Sequence, residues 1–279
     1  MAVPLTKPYK STGLRWQTGP VRETDPVDFR RSRTIVPVLE ALPEAGSTND
    51  VLSARAGDLP DLAVIVTGNQ TGGRGRLGRV WVTPPGTALA ISVLLKPVGL
   101  PPESFGWFPL LGGLAMSRAL GRFVPGGVQV KWPNDVLIEG DKVCGILAEL
   151  LPGMSGLVIG AGVNLSQTRE QLPTETSTSL ALAGAHDVDA DAVLSAYLVE
   201  LTTLYREFLA ADGDPVRSAL RDEVAEACHT LGRPVRVQLP SGDDLLGTAV
   251  GIDENGRLIV ESDAGRTAVA AGDVTHLRY

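Results

Sequence analysis

The sequence predicts an α+β fold followed by a small all-β unit, and three features predict it. From about Leu39 to Leu165, strand-like runs rich in β-branched residues alternate with helix-period segments. Two amphipathic helical patterns follow, and from about Leu231 the texture changes to short alternating runs. No internal repeat interrupts this order. A chain of 279 residues can hold one large domain and one small one, and 43% apolar residues can fill a core. The expected divisions are a poorly ordered extension over residues 1–38, a large α+β domain over 39–230 and a small β domain over 231–279.

Taken in order, Leu62 to Thr67 reads as a strand closed by Gly68-Asn69, and Thr87 to Leu95 as a second ended by Lys96-Pro97. Ser104 to Leu120 carries apolar residues at helical spacing, with Ser104 as the expected N-cap. Gly112 and Gly113 weaken that helix but would admit a neighbouring strand at close range. Gly127 to Trp132 is strand-like. Val143 to Leu151 and Gly156 to Val163 read as an antiparallel pair joined through Pro152-Gly153-Met154-Ser155. Helices are expected at Ala190 to Leu209, behind Asp189, and at Pro215 to Ala227. Four short strands follow, at Val235–Leu239, Leu246–Ile252, Arg257–Glu261 and Thr267–Ala270, with Asp253-Glu254-Asn255-Gly256 as a hairpin turn. A barrel-like arrangement is expected for them.

Composition removes several function classes. A net charge of −7 argues against nucleic acid as a major partner, because such binding rests on neutralising phosphates. Cys144 and Cys228 stand far apart, which speaks against a disulfide framework or a metal site and suits the cytoplasm. No run reaches the roughly 20 apolar residues of a membrane span. Met1 to Arg33 has no apolar segment of a secretory signal; its seven Lys or Arg, three acidic residues and scattered prolines fit a loose extension. A partner-binding arm or a targeting peptide are the functional alternatives.

Gly73-Arg74-Gly75-Arg76-Leu77-Gly78-Arg79 interleaves three glycines with three arginines just after a strand. Glycine lets backbone N–H groups approach a ligand, and the guanidinium fork suits carboxylate and phosphate oxygens. A mobile loop closing over an anion is one reading; a solvated basic turn is the other. The run lacks the Gly-Lys-Ser/Thr end of a Walker A loop and does not match a dinucleotide fingerprint. Lys131-Trp132-Pro133-Asn134-Asp135 places a point charge at a strand end, or is simply a turn. Gly160-Ala161-Gly162-Val163-Asn164 leaves room for a flat ring, with Asn164 offering a donor and an acceptor, or is likewise routine. Gly46-Ser47-Thr48-Asn49-Asp50 places hydroxyls where a helix cap is equally expected.

In combination these segments are far more specific. The order Ser47-Thr48-Asn49, Gln70 to Arg79, Lys131 to Asp135, Gly145 to Glu149 and Gly160 to Asn164 resembles the biotin protein ligase family, whose signatures GRGRxGR and KWPND both stand here without a gap. The likeness runs from about residue 39 to the end. It implies a class II synthetase-like catalytic domain with a mixed β-sheet and flanking helices, and a C-terminal SH3-like barrel. It further implies biotin and ATP as substrates, Mg2+ accompanying ATP, and a biotin carboxyl carrier protein domain of acyl-CoA or acetyl-CoA carboxylase as acceptor. The reaction would be adenylation of the biotin carboxylate, then transfer to a lysine.

By position, Lys131, Arg74 and Arg76 would be catalytic. Ser47, Thr48, Asn49, Gln70, Gly73, Gly75, Gly145 and Gly160 would join them around biotin. Arg79, Trp81, Asn134, Gly162 and Asn164 would join Arg76 and Lys131 around the nucleotide. The loop would become ordered as ligand binds. No nucleophilic triad is needed, and His186, His229 and His276 read as structural or surface residues. A repressor role is not expected, since the residues before Leu39 lack a periodic pattern for a DNA-binding helix pair; no DNA or membrane partner and a monomeric state are expected. The rival classes are a lipoate–protein ligase or octanoyl transferase of the same fold, and a non-catalytic binding protein on this scaffold.

Overall fold

The structure, a computed structural model, describes residues 28–81, 84–239, 242–270 and 272–276. The first nine strands are β1 (Leu39–Leu42), β2 (Val64–Thr67), β3 (Gly73–Arg74), β4 (Val80–Trp81), β5 (Ala88–Leu95), β6 (Val128–Lys131), β7 (Asp135–Ile138), β8 (Asp141–Leu150) and β9 (Leu157–Asn164). The helices are α1 (Thr48–Ala54), α2 (Phe108–Leu120), α3 (Ala190–Ala210) and α4 (Leu220–Ala227). Five further strands follow: β10 (Pro234–Gln238), β11 (Asp244–Ile252), β12 (Leu258–Ser262), β13 (Gly265–Val269) and β14 (Asp273–His276).

Seven strands form the central sheet in the order β1-β2-β5-β9-β8-β7-β6. Its β1–β2 ladder is parallel and the rest are antiparallel, so the sheet is mixed as expected. Every residue of β5 is buried, and its run is apolar except for Ser92, as suits a strand covered on both faces. One face carries α2, with α3 packed upon it. Here Gly112 does what its lack of a side chain suggested: an added Cβ would lie 3.2 Å from Ile159 Cγ2. Because side chains alternate along a strand, Gly160 and Gly162 point to the opposite face, where α1 lies.

The C-terminal strands make one antiparallel sheet, β13-β12-β11-β10-β14. Among the described residues no ladder joins β13 to β14, so the sheet is open where a barrel was expected, and β14 is a strand that the sequence pattern did not reveal. The β11–β12 turn at Asp253–Gly256 forms as expected, with Asp253 Oδ1 accepting from the N–H groups of Asn255 and Arg257. That turn is clamped to the central domain. Trp107 Nε1 donates to the Glu254 carbonyl at 2.8 Å and Trp132 Nε1 to the Gly256 carbonyl at 3.0 Å. Both indoles are buried, so each donor needs such a partner.

Three expectations need correction. Residues 28–38 are not a loose extension: Phe29 and Val36 join the core, and Asp191 at the start of α3 binds the N–H and hydroxyl of Ser32. The rest of that expectation falls on residues 1–27, outside the described residues. The helix expected from Ser104 begins at Phe108, after a 3-10 turn over Pro102–Trp107; Ser104 Oγ donates to the Pro101 carbonyl instead of capping. The helix expected from Pro215 begins at Leu220, behind a left-handed Ala219 at φ 61°. By contrast α3 starts where Asp189 predicts, the carboxylate accepting from Asp191 N–H at 2.9 Å.

Candidate active site

The face of the sheet opposite α2 forms the floor of a cavity of about 650 Å3. Gly145 pairs with Gly162 across β8 and β9, making a strip without side chains. A Cβ on Gly162 would stand 2.4 Å from the Trp81 ring, and one on Gly160 2.4 Å from Asn49 Oδ1. The glycines are there because other groups need the space.

At one end α1 presents its first turn. Ser47 caps the helix, its Oγ accepting from Asp50 N–H, and it also lines the cavity. The capping and the binding reading of this residue are therefore compatible. Thr48 N–H and hydroxyl both reach Gln70 Oε1, at 2.9 and 3.2 Å. Ser92 Oγ lies 2.8 Å from Thr48 Oγ1 and 2.6 Å from Asn49 Oδ1, while Asn49 Nδ2 donates to Glu149 at 2.6 Å. Thr48, Asn49 and Ser92 are buried, so this network is rigid and its free edges are preset.

The arginine-rich segment rises over the floor as a small hairpin. Gly73 pairs with Trp81 and Arg74 with Val80, while Gly75 N–H donates to the Arg79 carbonyl at 2.7 Å. Arg74 grips Asp50 through both terminal nitrogens, at 2.7 and 2.5 Å, and reaches Glu149 at 3.2 Å. Those carboxylates hold its guanidinium above the ordinary arginine range. Arg76 turns inward, to Asn134 Oδ1 at 2.9 Å and the Gly272 carbonyl at 3.2 Å. Arg79 pairs with Asp273 on β14. The C-terminal sheet thus supplies anchors for the loop.

Lys131 ends β6 directly opposite Asp135 on β7. Burial pulls its ammonium below the usual lysine range, and Asp135 and Asp273 oppose that pull. Lys142 Nζ stands 2.6 Å from Asp135 Oδ1 and 5.6 Å above the Trp81 ring. Asp135 is therefore the acid among Lys131, Lys142 and Arg76, and keeps the cations together. Trp81 Nε1 is buried with no hydrogen-bond partner among the described residues, a donor available beside Gly162.

The cavity brings together Ser47, Thr48, Asn49, Gln70, Arg74, Gly75, Arg76, Arg79, Trp81, Lys131, Asn134, Gly145, Gly160, Gly162 and Asn164. Two expectations change. Gly73 is not on the wall; it sits beneath Trp81 and Gln70, where a Cβ would meet the Trp81 carbonyl at 2.5 Å. Asn164 is on the wall, and one of its two amide N–H groups donates to the Thr178 carbonyl at 2.9 Å, so that donor is committed to the fold. The histidines divide: His186 is exposed, whereas His229 and His276 line the cavity. Asp50, Glu149, Lys142, Asp273, Arg233 and the two histidines escaped the sequence reading. Asp135 stood in the Lys131–Asp135 run only as a turn residue, its pairing with Lys131 appears in the structure, and no local signal brings β14 to the arginine loop.

The family model described as the biotin/lipoate A/B protein ligase family matches residues 43–164. That of the biotin protein ligase C-terminal domain matches residues 230–277. The chain is 35% identical to the biotin–[acetyl-CoA-carboxylase] ligase of Mycobacterium tuberculosis over 245 residues, 86% of this chain and 89% of that protein. It is 31% identical to the bifunctional ligase/repressor of Escherichia coli over 251 residues, 86% of this chain and 75% of that protein. Among solved structures, the biotin protein ligase of Aquifex aeolicus in complex with biotin and ATP superposes with a TM-score of 0.74 at 28% identity, covering 87% of this chain and all (100%) of that one.

Proposed function

We propose that this chain, which belongs to the biotin protein ligase family, activates biotin with ATP and transfers it to a lysine of a carrier domain. The observation that carries the reading is one cavity with two chemically distinct ends. A neutral network of Thr48, Asn49 and Gln70 lies beside the glycine strip, and the cations Arg76 and Lys131 stand beyond it. A cyclic urea needs neutral donors and acceptors, whereas a carboxylate meeting a triphosphate needs positive charge.

In the first step the biotin carboxylate attacks the α-phosphorus, the bond to the bridging oxygen breaks, and pyrophosphate leaves with its electron pair. In the second, the acceptor amine attacks the acyl carbon and AMP leaves, with the amine's proton passing to solvent. Arg74, Arg76 and Lys131 stabilise the charge that builds on the phosphoryl oxygens, and Lys131 remains close to the mixed anhydride. Trp81 stacks on the nucleotide side above Gly162, and Asn134 fixes Arg76. Mg2+ arrives with ATP as the counterion of its phosphates.

Thiol-based acyl transfer finds no support among the cysteines. Cys144 and Cys228 are buried, and burial pushes both thiols up, away from the reactive thiolate. The acceptor we assign is a biotin carboxyl carrier protein domain of an acyl-CoA carboxylase, met in the cytoplasm by a single ligase chain. No helix among the described residues is long and apolar enough to cross a membrane. The test is incubation with biotin, MgATP and a carrier domain, read by intact mass. A gain of one biotinyl group is expected; an unmodified carrier overturns the reading, and a gain with lipoate instead would reassign the substrate.

A further inference from the structure

The cavity has a third wall that the family signatures do not touch. His229 and His276 face each other with ring centroids 5.2 Å apart, one from the segment after α4 and the other from β14. Each is held by its surroundings. His229 N–H donates to the Val130 carbonyl at 2.8 Å, and its Nδ1 is 2.7 Å from Gln129 Oε1. His276 Nε2 is 3.3 Å from Thr230 Oγ1. Arg233 brings its guanidinium to 3.5 Å from His229 Nδ1. All three side chains line the same cavity as Lys131.

Their position in the fold gives them a direction. The biotin end of the floor is Gly160 on β9, and His229, with His276 packed on it, abuts β6, three strands further across. At one strand spacing each, that separation is about 14 Å. A displacement at phosphorus expels its leaving group on the side opposite the attacking oxygen. A carboxylate approaching from the Asn49 end therefore drives pyrophosphate past Lys131 toward this wall.

We propose that His229, His276 and Arg233 form the subsite for the terminal phosphates of the nucleotide, receiving pyrophosphate as it leaves. The proposal rests on the adenylation reading above, and it gives the C-terminal sheet a part in binding. The chemistry suits the class of ligand: a polyanion needs convergent donors, and two imidazoles plus a guanidinium supply them when the rings are protonated. The charged groups around the pair are Arg233 on its own segment, Lys131 on β6 and Asp273 on β14, with Arg76 and Arg79 above Asp273. Burial, then Arg233 and Lys131, hold the His229 imidazole below its usual range without ligand. A bound polyphosphate reverses that bias, so uptake of a proton accompanies binding.

Titration calorimetry with inorganic pyrophosphate tests this without turnover, so it stands apart from whether biotin is the substrate. Wild type is compared with H229Q/H276Q at pH 6.5 and 8.5, with AMP and biotin as control ligands. The double variant is expected to bind pyrophosphate about tenfold more weakly at pH 6.5, with the gap closing at pH 8.5, while AMP and biotin are unaffected. If the double substitution disturbs folding, shown by lost biotin binding, R233Q at the exposed rim takes its place. It should weaken pyrophosphate severalfold at both pH values. Equal pyrophosphate affinity in wild type and variant at both pH values, or an equal loss for AMP, overturns the proposal. So does a wild type that binds no pyrophosphate.

Discussion

The two sides of the cavity are built by different physics. The floor, from α1, β5, β8 and β9, is built on buried neutral groups, Thr48, Asn49 and Ser92, which hold one another and end on Gln70 and on the Glu149 carboxylate. The roof, from the arginine hairpin and β14, is exposed and ionic, with Arg74 on Asp50 and Arg79 on Asp273. A buried hydrogen bond is costly to leave half-made, whereas an exposed ion pair contributes little and weakens with salt. The difference supports the proposed division, in which the floor recognises the neutral ring. The roof is the part that can open and re-form around an anion.

The largest effect is expected where the two sides meet. Lys131→Ala should lower the rate of biotinyl-AMP formation by about 10²–10³-fold in single-turnover assays, with biotin affinity nearly unchanged. A variant that transfers biotin as fast as wild type would remove Lys131 from the chemistry. Next comes the floor. Gly162→Val drives a Cβ into the Trp81 ring, and a displacement of that size should cost about 100-fold in kcat/KM for ATP. Normal kinetics would mean that Trp81 moves freely and that the floor is not rigid.

Asn49→Ala tests the same rigidity through stability. It leaves Ser92 with only Thr48 and Glu149 with only Arg74, and removes a hydrogen bond to a charged group, so a loss of about 1–3 kcal/mol is expected in urea unfolding, along with weakened biotin binding. Arg79→Ala on the roof should cost below about 1 kcal/mol in the same measurement. It should nevertheless speed amide exchange over residues 73–81, and ligand should slow that exchange again. If the two substitutions cost the same, the contrast between floor and roof fails.

The smallest effect concerns pH. A lysine whose pKa is lowered by burial keeps its charge below that pKa and loses it as pH rises through it. Adenylation should therefore fall on the alkaline side, earlier than an exposed lysine would dictate. Asp273 raises the Lys131 pKa, so Asp273→Asn should move that limb to lower pH. A limb that stays in place would disconnect β14 from the catalytic lysine.

Much of this was legible from local pattern. The β-branched runs gave β2, β5, β8 and β9, because alternation and burial are written in consecutive residues. Asp189 gave the start of α3, because a cap acts within one turn. The glycines at 160 and 162 pointed to a shallow floor. The helix starts at Ser104 and Pro215 were misplaced because competing turns there are settled by packing and by a left-handed Ala219, not by the side chain at the boundary.

The sequence by itself determined strands such as β2, β5, β8 and β9, the family signatures and the cations Arg74, Arg76 and Lys131, since each is fixed by neighbours in the chain. Only the tertiary structure decided what those cations face. It placed Asp50 and Glu149 under Arg74, Asp273 under Arg79, and His229 against His276 beside Lys131. The reason is that these pairings join segments 24 to 194 residues apart, and charge acts through space while periodicity acts along the chain.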